Sequence, residues 1–255
     1  MARMRRRKMV FVDLWSDSPG AVDTFRAQCS PVYTLYTHAL HAGDRKILAT
    51  ASWTRIFLAA DPPGRSPADR PTYRTLGPSF VADADEPEDN LGFSDGGEAQ
   101  IDAALLGLPA AERGERYLEW LHDILLRLAR LRGWDAGPLH DARRYCLDRE
   151  VRARFDAPRR QSPDRRHLAG LQLEIDPDGR RHFTITVTNR VGQHVGASTT
   201  TVEPFACGFH EWRTVQRRLR WTSPVTVEFD DGSVVDGTYD PRHVMAGSLT
   251  LDGRG

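Results

Sequence analysis

Lysine is almost missing from this chain. Lys8 and Lys46 are the only two, so 33 of the 35 basic residues are arginine. Arginine's planar fork suits bidentate phosphate or carboxylate contacts. The bias runs the whole length of the sequence, however, which points to a GC-rich genome before a dedicated surface. Cysteine is scarce too. Cys29, Cys146 and Cys207 are odd in number and far apart, which excludes a disulfide framework and fits a reducing compartment. No run approaches the ~20 apolar residues of a membrane span. The basic start, Met1 to Lys8, resembles the head of a signal peptide, but the apolar run after it breaks at Asp13 and no small-residue cleavage site follows. The expected location is the cytoplasm, with no membrane partner.

Excess charge is lacking as well: 35 acidic residues balance 35 basic ones. That argues against a protein whose main business is coating nucleic acid or an anionic membrane. No Gly-x-Ser-x-Gly elbow, nucleotide-binding loop, complete metal signature or internal repeat is present. Hydrophobic and charged residues at 40% and 27% are ordinary globular usage, so a folded core is expected.

What is present reads as α+β: a β-rich N-terminal part, a central helical hairpin, and a C-terminal antiparallel meander with one packed helix. Met9 to Trp15 reads as a strand and Ala21 to Gln28 as a short helix. The aromatic and β-branched segments Val32 to Leu40, Lys46 to Ala60 and Tyr73 to Val81 read as further strands. Residues 82–97 turn acidic and loop-like. Tyr117, Leu121, Ile124, Leu125 and Leu128 then recur at helical spacing behind Pro109, and Gly133 stops that helix. A second helix is expected from Pro138 to about Phe155. Leu171, Leu173 and Ile175 alternate with polar residues, as do Phe183, Ile185 and Val187, around the hairpin signal Asp178-Gly179. A third strand ends near Val202, and Phe209, Trp212, Val215 and Leu219 mark a short helix. Val225 to Phe229 and Val234 to Tyr239 suggest a second hairpin. One domain over residues 1–255 is expected; if it divides, the lobes are 9–81 and 98–252, joined by the acidic loop 82–97.

Three constellations bear on function. His38-x-x-His41 and Cys207-x-x-His210 are metal half-sites that would make four N/S ligands for zinc if the fold joined them. Their scatter makes no metal the expectation, with His38 and His41 as surface strand residues. The acidic stretch, with Asp83, Asp85, Glu86, Glu88 and Asp89, suits a docking face for a basic partner surface. The arginines of segments 143–166 and 213–220, among them Arg213, Arg217 and Arg218, lie near Trp212 and Trp221, a mixture that can grip a nucleic-acid strand. Trp212 itself falls on the apolar stripe and is expected in the core. Cys207 is the one cysteine near a helix N-terminus, with His210 and Glu211 just beyond it, so these three are the candidate catalytic residues. The first expectation is a non-enzymatic intracellular interaction protein (an adaptor, regulator or immunity-type inhibitor), with another protein as partner and no cofactor. A hydrolase with a scattered active site near Cys207 and His210, and a nucleic-acid-binding protein, are the alternatives.

Overall fold

A computed structural model describes residues 7–8, 11–15, 21–44, 47–49, 53–59, 73–75, 80–83, 94–100, 103–204, 209–230 and 246–251; side chains are described in 23–44, 47, 105–130, 133–204, 212–230 and 246–251. The fold is mixed α+β. Two compact units divide it, residues 1–152 and 153–255. Among the described residues no helix is long and apolar enough to cross a membrane.

In the N-terminal unit the elements run β1 (Arg7–Lys8), β2 (Phe11–Trp15), α1 (Ala21–Ala42), β3 (Leu48–Ala49), β4 (Trp53–Ala59), β5 (Tyr73–Thr75), β6 (Phe80–Asp83), β7 (Ser94–Gln100), α2 (Ala103–Leu106), α3 (Ala110–Arg132) and α4 (Gly137–Asp148). β1 pairs with β3. The larger sheet has the order β2-β4-β7-β6-β5, parallel from β2 to β7 and antiparallel beyond.

The segment expected as a strand from Val32 to Leu40 is the second half of α1, and the correction has a physical cause. β2 and β4 run parallel, and a parallel pair needs a crossover between its strands; α1 is that crossover. Its residues from Cys29 to Thr37 are all buried, polar Ser30, Thr34 and Thr37 included. A helix buried all round shows no wet face and hence no 3.6-residue period, so β-branched and aromatic content dominates its sequence signal. Asp83 and Asp95, expected in the acidic loop, lie in β6 and β7.

α3 begins after Pro109 and ends at Gly133, whose φ of 65° is the left-handed cap that closes such helices. Its stripe of Tyr117, Leu118, Leu121, Ile124, Leu125 and Leu128 is buried, and α1, α3 and α4 pack on one another. α4 stops at Asp148, earlier than the expected Phe155. Glu150 and Val151 take φ of 53° and 54°, which ends the helical path, and the next residues alternate buried and exposed as a strand.

That strand opens the C-terminal unit: β8 (Ala153–Asp156), β9 (Arg160–Gln161), β10 (His167–Ile175), β11 (Arg181–Asn189), β12 (His194–Val202), α5 (Phe209–Arg218), β13 (Arg220–Trp221), β14 (Thr226–Phe229) and β15 (Gly247–Thr250). The antiparallel order is β12-β11-β10-β8, with β9 also on β10, and a second sheet runs β13-β14-β15. Gly179 and Gly192, both with φ of 84°, turn the two hairpins. Odd-numbered Ala169, Leu171, Leu173, Ile175, Phe183, Ile185 and Val187 are buried; Trp212, Val215 and Leu219 of α5 and Val227 and Phe229 of β14 are buried too. Phe183 and Phe229 meet with ring centroids 5.2 Å apart. The strand expected at 234–239 lies outside the described residues; the observed partners of β14 are β13 and β15.

Candidate functional site

The period of two that buries the odd positions of β10 and β11 turns the even positions outward. Gln172 pairs across the ladder with Thr184, Gly170 with Thr186, and Leu168 with Thr188. Together with Asp156, Ala157 and Arg159 these residues line a hollow of about 440 Å³. Asp156 sits opposite Gln172 on β8, and Gln172 Nε2 donates to Asp156 Oδ1 at 2.7 Å. Thr184 and Thr199 join hydroxyls at 3.0 Å. At Gly170 an added Cβ would stand 3.9 Å from Arg159 Cγ, so the aliphatic stem of Arg159 lies beside the bare strand. A glycine inside a strand often marks such a close approach.

Beyond Leu168 and Thr188 the hollow ends at two loops rich in arginine. Arg159, Arg160, Arg165, Arg166 and Arg190 are all exposed. Arg190 Nε donates to the Arg165 carbonyl oxygen, which ties the loop before β10 to the turn after β11. Arg165 has φ of 62°, a left-handed backbone that costs a non-glycine residue about 1 kcal/mol or more. The acid described in these loops, Asp164, is occupied: its carboxylate accepts from Ser162 Oγ at 2.6 Å and from the Arg166 N–H at 3.1 Å, and these bonds hold it below the usual carboxylate range. Arg166 reaches it at 3.8 Å, whereas Arg159, Arg160, Arg165 and Arg190 have no acidic partner among the described residues. Trp221 braces the corner by donating its Nε1 to the Arg160 carbonyl at 3.0 Å and stacking on His167 at 6.3 Å.

The opposite end of the same strands is of mixed charge, with Arg154 directly across from Glu174. Glu174, Asp176, Asp178 and Glu203 gather there; Arg180 pairs with Glu203 at 3.6 Å, and Arg181 is buried. Acids and arginines are therefore mixed at this end, whereas the loops at the other end are dominated by arginine.

Of the residues singled out from sequence, Arg159 lines the hollow and Arg165 and Arg166 lie in the loop beyond it. Arg213, Arg217 and Arg218 lie on α5, but Arg218 is bound to Asp230, which also holds Arg220. Cys207 and the acidic residues Asp85, Glu86, Glu88 and Asp89 lie outside the described residues, as do the side chains of His210, Glu211 and Asp83. His38 and His41 are on α1 rather than on a strand. His38 Nδ1 meets the Tyr145 hydroxyl at 3.0 Å, and burial, with repulsion from Arg149 and His41, pulls its pKa down to about 4. Among the described residues no three His, Cys, Asp or Glu side chains gather around one point where a metal ion would bind.

A second polar group is wholly internal. Tyr36, on α1, donates its hydroxyl proton to the Leu139 carbonyl at 2.9 Å, so His122, 2.9 Å away through Nδ1, must carry its own proton there and donate to the phenol oxygen. Burial, reinforced by His140 and Arg143, lowers the His122 pKa to about 4. Burial also pushes Cys146 up to about 12 and Cys29 well above its ordinary value, so both are inert thiols.

Sequence reasoning included Arg159 to Arg166 only as part of a long basic segment and missed Arg190, Gln172 and the threonine row. The signal was there: the even positions of two adjacent hairpin strands, read as a face, give the floor of the hollow. Comparison with protein-family models, with curated proteins and with solved structures gives no match.

Proposed function

We propose that the chain is a non-enzymatic interaction protein whose C-terminal unit binds an anionic partner. The layout assumed for it is that expected from the sequence, a β-rich N-terminal part, a central helical hairpin and a C-terminal antiparallel meander with one packed helix; the binding face, expected on the acidic loop or the basic helix, is moved here to the meander. One observation carries the proposal: Arg159 lines a polar hollow, Arg165, Arg166 and Arg190 stand exposed in the two loops beyond its Leu168–Thr188 end, and Asp164, the acid described in those loops, is already occupied. Charges left unpaired at a surface repel one another and contribute little to a fold, so their gathering fits an external partner. The left-handed Arg165 supports the same conclusion, because strained backbone tends to collect at functional sites. Cations gathered toward one partner would steer its approach, with an association rate that falls as salt rises.

The test is binding of the full chain to labelled polyanions, an oligonucleotide and polyglutamate, at low and moderate salt. At least one should bind. Replacing Arg159, Arg165 and Arg190 together with alanine should weaken it by about tenfold or more and flatten its salt dependence. Charge reversal across Asp83, Asp85, Glu86, Glu88 and Asp89 should leave it intact. Binding that is indifferent to the three arginines would overturn the proposal.

A further inference from the structure

We infer that the hollow takes one nucleotide of a single-stranded nucleic acid, phosphate at its arginine end and base edge at Asp156 and Gln172. This rests on the anion-binding proposal above and names the partner. The hollow is not uniformly cationic. From Leu168 to Gln172 the floor runs four residues along β10, roughly 13 Å at strand rise, and its chemistry changes along the way. The loops bearing Arg165, Arg166 and Arg190 stand beyond its Leu168 end, Arg159 lies beside Gly170 at its middle, and Thr188, Thr186 and Thr184 run its length opposite Leu168, Gly170 and Gln172. Asp156 and Gln172 close the other end, where their hydrogen bond uses one amide proton and one carboxylate oxygen.

What remains at that end is chiefly acceptor: the Gln172 carbonyl and the second Asp156 oxygen. Acceptors of this kind suit the exocyclic amino group of adenine or cytosine. An acidic protein surface would meet Asp156 with repulsion, and a free phosphate would leave that end unused. A nucleotide has both parts, an anion and a base edge, on one rigid frame. The volume of about 440 Å³ lies within the range of small-ligand pockets. A base stacked in a duplex offers only its groove edge and cannot enter a hollow without leaving the stack, so the base that enters comes from a single strand.

The experiment measures anisotropy of end-labelled oligo(dA), oligo(dC) and oligo(dT) of about twelve nucleotides, with duplex DNA and polyglutamate as competitors, on the full chain between about 50 and 200 mM salt. Oligo(dA) and oligo(dC) should bind about tenfold tighter than oligo(dT), whose bases lack the amino group. Asp156→Asn should erase that preference and leave the salt slope unchanged. Alanine at Arg159, Arg165 and Arg190 should weaken all three strands and reduce the slope by about two. Gly170→Val supplies a control that keeps every charge: it puts a branched side chain onto the floor beside Arg159 and should abolish the preference, with circular dichroism checking the sheet. Polyglutamate competing as well as the oligonucleotides, with no effect of Asp156→Asn, would overturn the nucleic-acid inference and keep the anion-binding proposal. Duplex binding as tight as single-strand binding would overturn the single-strand claim. No arginine-dependent binding of any polyanion would overturn both.

Discussion

Between α1, α3 and α4 of the N-terminal unit, the Tyr36 hydroxyl, the His122 ring and the Leu139 carbonyl bond to one another inside the core. At the C-terminal hollow, the side chains of Arg159 and Arg165 stand in solvent with no acid to meet them among the described residues. Polar groups that close on each other have their chemistry used up by the fold. Polar groups that stay open cost the fold little and remain free to bind. The difference separates structural from functional polarity without any appeal to residue type. It also predicts where each kind of mutation registers: in stability for the first, in binding for the second.

The strongest test of the closed region removes its apolar frame. Leu121→Ala and Leu125→Ala each leave a cavity on the fully buried face of α3 and should cost about 2–5 kcal/mol. Urea titration checks this. A loss below about 1 kcal/mol in both variants would mean that the three-helix packing is not the core of the unit.

A smaller effect sharpens the comparison through pH. His122 and His38 have folded pKa values near 4, against about 6.5 for an unfolded histidine. Between those values the unfolded chain binds more protons than the folded one. Stability is therefore full above about pH 6.5 and declines as pH falls toward 4. Buried His122 should contribute on the order of 2 kcal/mol to that decline, and half-exposed His38 less. His122→Asn places an amide donor near Nδ1 and removes the titration, so urea midpoints at pH 7 and pH 5 should draw together in that variant. An undiminished gap would assign the acid sensitivity to other groups.

Legibility follows the same division. α3 and the β10–β11 hairpin were readable because each has one wet and one buried face, so burial imprints a period on the sequence. α1 was not, since burial on all sides erases the period, and the parallel pairing that demands a helix there is a long-range fact. The hollow was half legible. Thr184, Thr186 and Thr188 showed as the polar positions of a strand, but only the ladder register sets Gln172 beside Thr184 and Asp156. Arg190 was illegible as a partner of Arg165: 25 residues separate them, and a side chain meeting a carbonyl leaves no pattern. Among Arg213, Arg217 and Arg218 the sequence hides a different partnership. A run of like charge looks free in sequence, and Asp230 then claims Arg218.

The smallest expected effect tests the open region most severely. What Arg165 gives to the fold are backbone atoms: its N–H donates to the Ser162 carbonyl at 2.9 Å, and its own carbonyl accepts from Arg190. Its side chain is exposed, and its φ of 62° suits glycine better than any residue with a Cβ. Arg165→Gly keeps both backbone bonds and relieves the strain, while glycine's greater freedom in the unfolded chain offsets part of the gain. The net should lie between no change and about 1 kcal/mol of stabilisation, where Arg165→Ala keeps the strain and should sit near the parent. Both variants should weaken polyanion binding, so that stability and binding move apart as they do where a strained residue serves function. Thermal or urea midpoints of the two variants, set beside their binding curves, decide it. Loss of more than about 1 kcal/mol in both would place Arg165 with the closed groups, and the contrast between the two regions would fail at the residue chosen to represent it.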